Sequence, residues 1–194
     1  MSTESFQRTL WIDCEFTGLS LDDDLLLEVG AVVTDGLFSE IDSYTAVVSQ
    51  DIATIALRMS QDDWWPSRPR HQQEILTEVN QSSKTLAVVD KELVNFASQY
   101  FDDAIVVAGN SLGIDRRYVA RDLPDFNNLL HYRSIDVSSF KEVARRFGIK
   151  EYKKINQHRV LADIHESMDE LQYLLEKLGI SAIHSNILNK KLES

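Results

Sequence analysis

Residues 9–16 read TLWIDCEF. The β-favouring run Leu10, Trp11, Ile12 and Phe16 marks a strand, and two carboxylates interrupt it. Successive side chains of a strand point to opposite faces, so Asp13 and Glu15, at i and i+2, share one face. Cys14 then points to the other face and reads as a small core residue rather than a nucleophile. Taken alone, an acidic pair in a strand is most often a solvated face. The apolar company of this pair argues against an accident, because clustered buried carboxylates repel and raise one another's pKa unless cations accompany them.

Beyond this strand, LLLEVGAVVTDG (25–36) and DSYTAVVS (42–49) read as two more strands, the first ending in turn residues. Residues 49–84 are polar, contain Pro66 and Pro69, and read as a loop region with short helical turns. In TLAVVDKELVNFASQYF (85–101), Leu86, Val89, Leu93, Phe96 and Tyr100 recur at helical spacing. DAIVVAGN (103–110) has the continuous apolar character of a strand buried on both faces. A helix follows through IDRRYVARDL, then a strand at YRSIDV, then SSFKEVARRFG (138–148) as a helix with a serine cap and a closing glycine. The last element is the clearest: Leu161, Ile164, Met168, Leu171, Leu175 and Leu178 recur at intervals of three and four, and Gly179 closes the helix. Strands alternating with helices over 194 residues, with no repeat or linker, imply one α/β domain covering residues 1–194.

Three further residues join the strand pair. Asp115 lies in the turn GNSLGID (109–115), where a helix-capping role is an equal alternative. His158 and Asp163 lie in HRVLADIHES (158–167), the aspartate one turn inside the last helix and the histidine at its start. Four carboxylates suit hard divalent cations such as Mg2+ or Mn2+, which prefer oxygen ligands. A histidine beside such a site, not coordinating it, suits a general base, because imidazole titrates near neutral pH. The combination points to metal-dependent cleavage of a phosphodiester.

Composition bounds this reading. With 43% hydrophobic and 26% charged residues the chain reads as an ordinary globular protein. A single cysteine allows no internal disulfide, there is no signal-peptide pattern, and no apolar run approaches the roughly 18 residues of a membrane span. A cytoplasmic location is expected. The net charge of −11 is poorly suited to tracking along long nucleic acid, where phosphate neutralisation supplies most non-specific affinity. Either the protein does not bind nucleic acid, or it grips a short piece through metals and local cations. Arg116, Arg117, Arg133, Lys153 and Lys154 lie close in sequence to the site segments.

The stretches WIDCEFTGL, GNSLGIDRR, HYRSIDVSSFKEVARR and HRVLADIHESMDEL carry a resemblance to the histidine-type branch of the DEDD exonuclease superfamily and, within it, to the oligoribonuclease family. An Asp-x-Glu in the first strand, a second Asp after a central strand, and a His five positions before the last Asp all match. The resemblance runs from about residue 9 to residue 176 and weakens at DDWWPSRPRHQQEIL (62–76). It implies a ribonuclease H-like fold, a mixed five-stranded sheet with flanking helices. It implies 3′-to-5′ hydrolysis of very short single-stranded RNA, dinucleotides especially, to nucleoside 5′-monophosphates, with two divalent cations per site. Asp13 would bridge the cations, Glu15 and Asp163 would hold one, Asp115 would help hold the other, and His158 would be the base. Leu19 matches a residue that wedges between bases and Trp64 one that stacks on a base, with the adjacent Trp65 as an alternative. Ser111, Arg133, Ser138 and Ser139 match a group that closes over the 5′ phosphate. Ser138 also suits a plain helix cap. His131 and Tyr132 match a segment contributed across a homodimer interface. Two other readings stay open: a histidine-type exonuclease trimming or proofreading longer RNA or DNA, and a non-enzymatic RNA-binding protein on the same fold.

Overall fold

The computed structural model describes residues 8–154 and 158–180. The expected domain extends to residues 1–7, 155–157 and 181–194, which lie outside the described residues. Strand β1 (Thr9–Phe16) pairs antiparallel with β2 (Leu26–Thr34), and β2 pairs antiparallel with β3 (Glu40–Val47). On its other side β1 pairs parallel with β4 (Ile105–Gly109), which pairs parallel with β5 (Leu130–Asp136). The order β3-β2-β1-β4-β5 makes the expected mixed five-stranded sheet, and it puts the carboxylate strand at the centre.

Alternation along β1 divides two cores. Leu10, Ile12 and Cys14 pack with α3 (Leu86–Ala97), α4 (Gly113–Asp122) and α5 (Pro124–Leu129). Trp11 packs on the other face with α6 (Val137–Arg146) and α7 (Val160–Lys177), through Val137, Ile164, Met168, Leu171 and Leu174. Asp13 and Glu15 therefore face the α7 layer. That layer comes close because Gly30 stands opposite Asp13 on β2: a Cβ at Gly30 would lie 2.8 Å from the Val160 side chain. A larger residue there would push the first turn of α7, and Asp163 with it, off the sheet.

Residues 49–84 depart from the expected loop. They form α1 (Ile52–Gln61) and α2 (Pro69–Gln81). The Asp51 carboxylate caps α1 by accepting from the Thr54 amide at 2.8 Å, and Pro69 starts α2 where its missing N–H costs nothing. Ile55, Met59, Ile75 and Val79, each pair four apart, bury a third cluster around Trp65 and Leu27. Other boundaries shift less. Helix α3 ends at Ala97, so Tyr100 lies beyond it, and Val106 of β4 is exposed while its strand neighbours are buried. Gly148 and Gly179, after α6 and α7, both take left-handed φ, 74° and 76°, as helix-closing glycines do. Among the described residues no helix is long and apolar enough to cross a membrane.

Candidate active site

Carboxylates from a strand and a helix converge at one end of β1. Asp13, Glu15 and Asp163 each offer an oxygen, and these oxygens lie within 4.8 Å of one another. Asp163 reaches them from the first turn of α7. Asp115 comes from the first turn of α4, on the opposite side of the sheet, and stands outside that trio while remaining electrostatically tied to it. The Cys14 thiol lies beside the Asp115 carboxylate. Cys14 is a core residue, as its place in the strand implied, yet it also borders the site from beneath.

The cluster is held under charge strain. Burial, then Asp115, Glu15 and Asp163, push Asp13 well above the ordinary carboxylate range. Burial, then Asp163 and Glu28, push Glu15 up to about 8. Burial raises Asp115 to about 7, against the hydrogen bonds it receives from its own backbone and from Cys14. Burial also raises Asp163, with His158 and Lys154 pulling it back. Recessed carboxylates that resist ionising together, with oxygens already convergent, fit a hard divalent cation.

His158 sits two residues before α7 with a left-handed φ of 55°, an uncommon conformation for a residue with a side chain. Its ring meets Trp64 edge-on at 5.1 Å between centroids and His71 at 6.0 Å. The next residue, Arg159, spreads its guanidinium between Glu28 and Glu78.

A cleft of about 250 Å³ opens beside Glu15, lined by Glu15, Phe16, Gly18, Leu19, Asp62, Trp64 and Trp65. Leu19 is 68% exposed at its mouth. The two tryptophans are now distinguishable. Trp65 is 2% exposed, donates its indole N–H to the Thr17 carbonyl at 2.9 Å, and stacks on His71. Trp64 is only half-buried, with Arg68 over its ring at 4.3 Å, so it is the one with surface to offer.

Of the residues expected to close over a 5′ phosphate, two lie together. The Asp136 carboxylate accepts from the amides of Ser111, Leu112 and Ser138 and from the Ser138 hydroxyl, which brings Ser111 and Ser138 to one point. Asp136, not Ser138, is the N-cap of α6. Ser139 is exposed on the first turn of that helix. Arg133 and Tyr132 lie exposed on edge strand β5, the guanidinium 5.1 Å from the Tyr132 ring, and neither lines the cleft. Arg116 is half-buried and donates to the His131 carbonyl at 3.0 Å. Lys154 pairs with the buried Glu170 at 2.8 Å. Sequence reasoning missed Asp136, Arg159, Glu28 and Glu78. Only Glu28 carried a signal, as a lone acid inside the apolar run LLLEVGAVV.

A sheet of this topology bearing a recessed acidic cluster on its central strand has the form of a cation-dependent nuclease. The comparisons with known proteins agree. The exonuclease family model matches residues 10–171. Oligoribonuclease from Nocardia farcinica is 40% identical over 177 residues, covering 87% of this chain and 80% of that protein. Its counterpart from Rhodococcus jostii is 38% identical over 178 residues, covering 86% and 85%. Among solved structures, E. coli exonuclease I in complex with a dT13 oligonucleotide aligns with a TM-score of 0.62 at 11% identity, over 92% of this chain and 43% of that one. Exonuclease I from Methylocaldum szegediense aligns with a TM-score of 0.59 at 13% identity, over 88% and 40%. These two show the fold, and the present chain spans about two fifths of their length. The chain belongs to the exonuclease family, among its oligoribonucleases.

Proposed function

We propose that this chain is a 3′-to-5′ exoribonuclease acting on very short single-stranded RNA, dinucleotides especially, and releasing nucleoside 5′-monophosphates. The observation that carries the reading is the convergence of Asp13, Glu15 and Asp163 beside a cleft walled by Leu19 and Trp64. Asp13, Glu15 and Asp163 would hold one divalent cation, and Asp115 together with Asp13 would hold a second. The oxygen-only donor set suits Mg2+ or Mn2+. Bound there, such cations would neutralise the phosphate and acidify an attacking water.

The chain's own residues do the rest. His158 takes the proton of the attacking water at an imidazole nitrogen. Its ring meets the cleft residue Trp64, and it lies near enough to Asp163 to pull that carboxyl's pKa down, without belonging to the carboxylate trio. Trp64 offers a face to the terminal base and Leu19 separates it from the next base. Stacking of this kind is sequence-tolerant. Ser111, Arg133, Ser138 and Ser139 receive the 5′ phosphate, Arg133 through a planar fork that can donate two hydrogen bonds. Tyr132, 78% exposed on edge strand β5, completes the site of a second copy in a homodimer. The lone Cys14 suits a cytoplasmic setting.

The test is kcat/KM for 5′-phosphorylated RNAs of two to seven residues with Mg2+ or Mn2+. A maximum at two residues is expected. Equal efficiency at all lengths, or preference for longer chains, would assign the protein to the trimming exonucleases instead.

A further inference from the structure

We infer that Arg159 is a positioning residue for the reaction: it locks the His158 backbone and the Trp64 wall to the carboxylate strands. The inference rests on the function proposed above and extends it to a residue outside the carboxylate–histidine set.

The geometry places one guanidinium at the junction of three pieces. Toward the sheet, Arg159 Nε and one terminal nitrogen donate to the two Glu28 oxygens at 3.2 and 3.1 Å. Glu28 is 3% exposed and stands directly opposite Glu15 on the neighbouring strand. Toward the aromatic wall, the two terminal nitrogens donate to the Glu78 oxygens at 3.0 and 2.9 Å. Glu78 belongs to α2, whose Ile75 and Val79 pack with Trp64 and Trp65 and whose His71 stacks on Trp65. The third piece is Arg159's own backbone, which caps α7 and follows His158 directly.

That link has a mechanical consequence. A side-chain-bearing residue at φ 55° persists only where its surroundings over-determine it. Four hydrogen bonds from the adjacent side chain, to two different elements, supply that determination. They also set the distance between the sheet and α2, and so the position of Trp64 against the His158 ring. The fork is needed in full: a guanidinium can serve two carboxylates in fixed directions, whereas a lysine ammonium is a single point on a flexible stem. Removing the cation would further leave Glu28 buried and unpaired beside Glu15.

The experiment compares Arg159→Gln, Arg159→Lys and Glu78→Gln in the full chain, with kcat and KM for a 5′-phosphorylated diribonucleotide at saturating Mg2+. Arg159→Gln should lower kcat about 10- to 100-fold in protein shown to be folded by circular dichroism, and Arg159→Lys should restore little of it. Glu78→Gln, which releases only the wall, should act mainly by raising KM. In a His158→Ala background, Arg159→Gln should cost almost nothing more in kcat, because its effect passes through His158. Full multiplication of the two losses, or a wild-type kcat in folded Arg159→Gln, would overturn the inference. Should Arg159→Gln fail to fold, Arg159→Lys alone and in the His158→Ala background gives the same reading. A readout independent of turnover separates this from failure of the proposed function. The His158 imidazole proton resonances and the Trp64 emission of the metal-free protein should shift in Arg159→Gln, and unchanged signals would reject the positioning role even if the wild type cleaved no diribonucleotide.

Discussion

Asp136 organises Ser138, not the reverse: its Oδ1 accepts the Ser138 amide at 2.9 Å and the Ser138 hydroxyl at 2.6 Å. The same oxygen accepts the Ser111 amide at 2.9 Å, and Oδ2 accepts the Leu112 amide at 3.1 Å. One carboxylate thus ties the loop after β4, where Ser111 takes a φ of 59°, to the start of α6. Asp136→Ala should lower stability by about 1–2 kcal/mol, the upper part of the range for losing a helix cap, and should raise KM for a 5′-phosphorylated dinucleotide. Ser138→Ala should cost less stability, since Asp136 keeps its three amide donors. Thermal unfolding of the two variants orders them; a larger loss for Ser138→Ala would return the cap to the serine.

The raised carboxylates make a pH prediction for the metal-free protein. Glu15 rises from 4.5 in the unfolded chain to about 8 when folded, and Asp115 from 3.8 to about 7. A raised folded pKa means the folded state binds protons more tightly, so stability is full below the unfolded values and falls as pH rises through the folded ones. With chelator present, the melting temperature should fall between about pH 5 and pH 8, and saturating Mg2+ should restore most of it at the upper end. A flat profile in chelator would contradict the strain assigned to the cluster. By the same reasoning Asp13→Asn should abolish hydrolysis while leaving the metal-free fold at least as stable as wild type.

Much of this was legible in the chain because it is local. The alternation in TLWIDCEF puts Asp13 and Glu15 on one face of β1, and the three-four spacing marks α7 with Asp163 in its first turn; that the two meet was implied only by the resemblance, because it depends on which face of the sheet the helix packs against. Residues 49–84 were not legible because polar residues and two prolines mask the sparse apolar positions of α1 and α2. What makes those helices stable is burial around Trp65, a tertiary effect. Asp136 does not stand out in the sequence because Ser138 and Ser139 come just after it and any of the three suits a cap. Arg159 could not be read at all: its partners lie 131 and 81 positions away.

Loss of the base should separate from loss of metal. His158→Ala should reduce turnover about 10²- to 10⁴-fold, the usual range for a general acid–base group. Mg2+ affinity by calorimetry should remain near wild type, because the three convergent oxygens are all carboxylate. Recovery of turnover by excess Mg2+ would make His158 a ligand.

The tryptophans should part company in the same way. Trp65→Ala empties a buried site and removes the bond to Thr17, so about 3–5 kcal/mol of stability should go with it. Trp64→Ala should leave the fold nearly intact and raise KM for dinucleotides about 5- to 150-fold, the equivalent of about 1–3 kcal/mol of base stacking. Equal loss of stability in both variants would remove the distinction between core and binding face.

The proposed function predicts that substrate length is sensed through local contacts in place of long-range attraction. A net charge of −11 offers extended RNA little electrostatic pull, so under the proposed function binding would depend on cations held by the carboxylates, the Leu19–Trp64 cleft and the group around Arg133. Arg133 sits on the exposed edge strand, outside the cleft, so a substrate must reach both places at once to use both. A two-residue RNA that reaches both makes every contact. A longer one would place its 5′ phosphate beyond the group and lose those contacts in the transition state. Arg133→Ala should therefore flatten the length profile, lowering kcat/KM for 5′-phosphorylated dinucleotides at least tenfold and for heptamers much less. Removing the 5′ phosphate from the dinucleotide should do to wild type what the mutation does, and the two losses should not add. Tyr132→Ala should lower the same quantity if the partner copy completes the site, and light scattering should then find a dimer at assay concentration. An Arg133→Ala profile parallel to wild type would mean that length is sensed elsewhere.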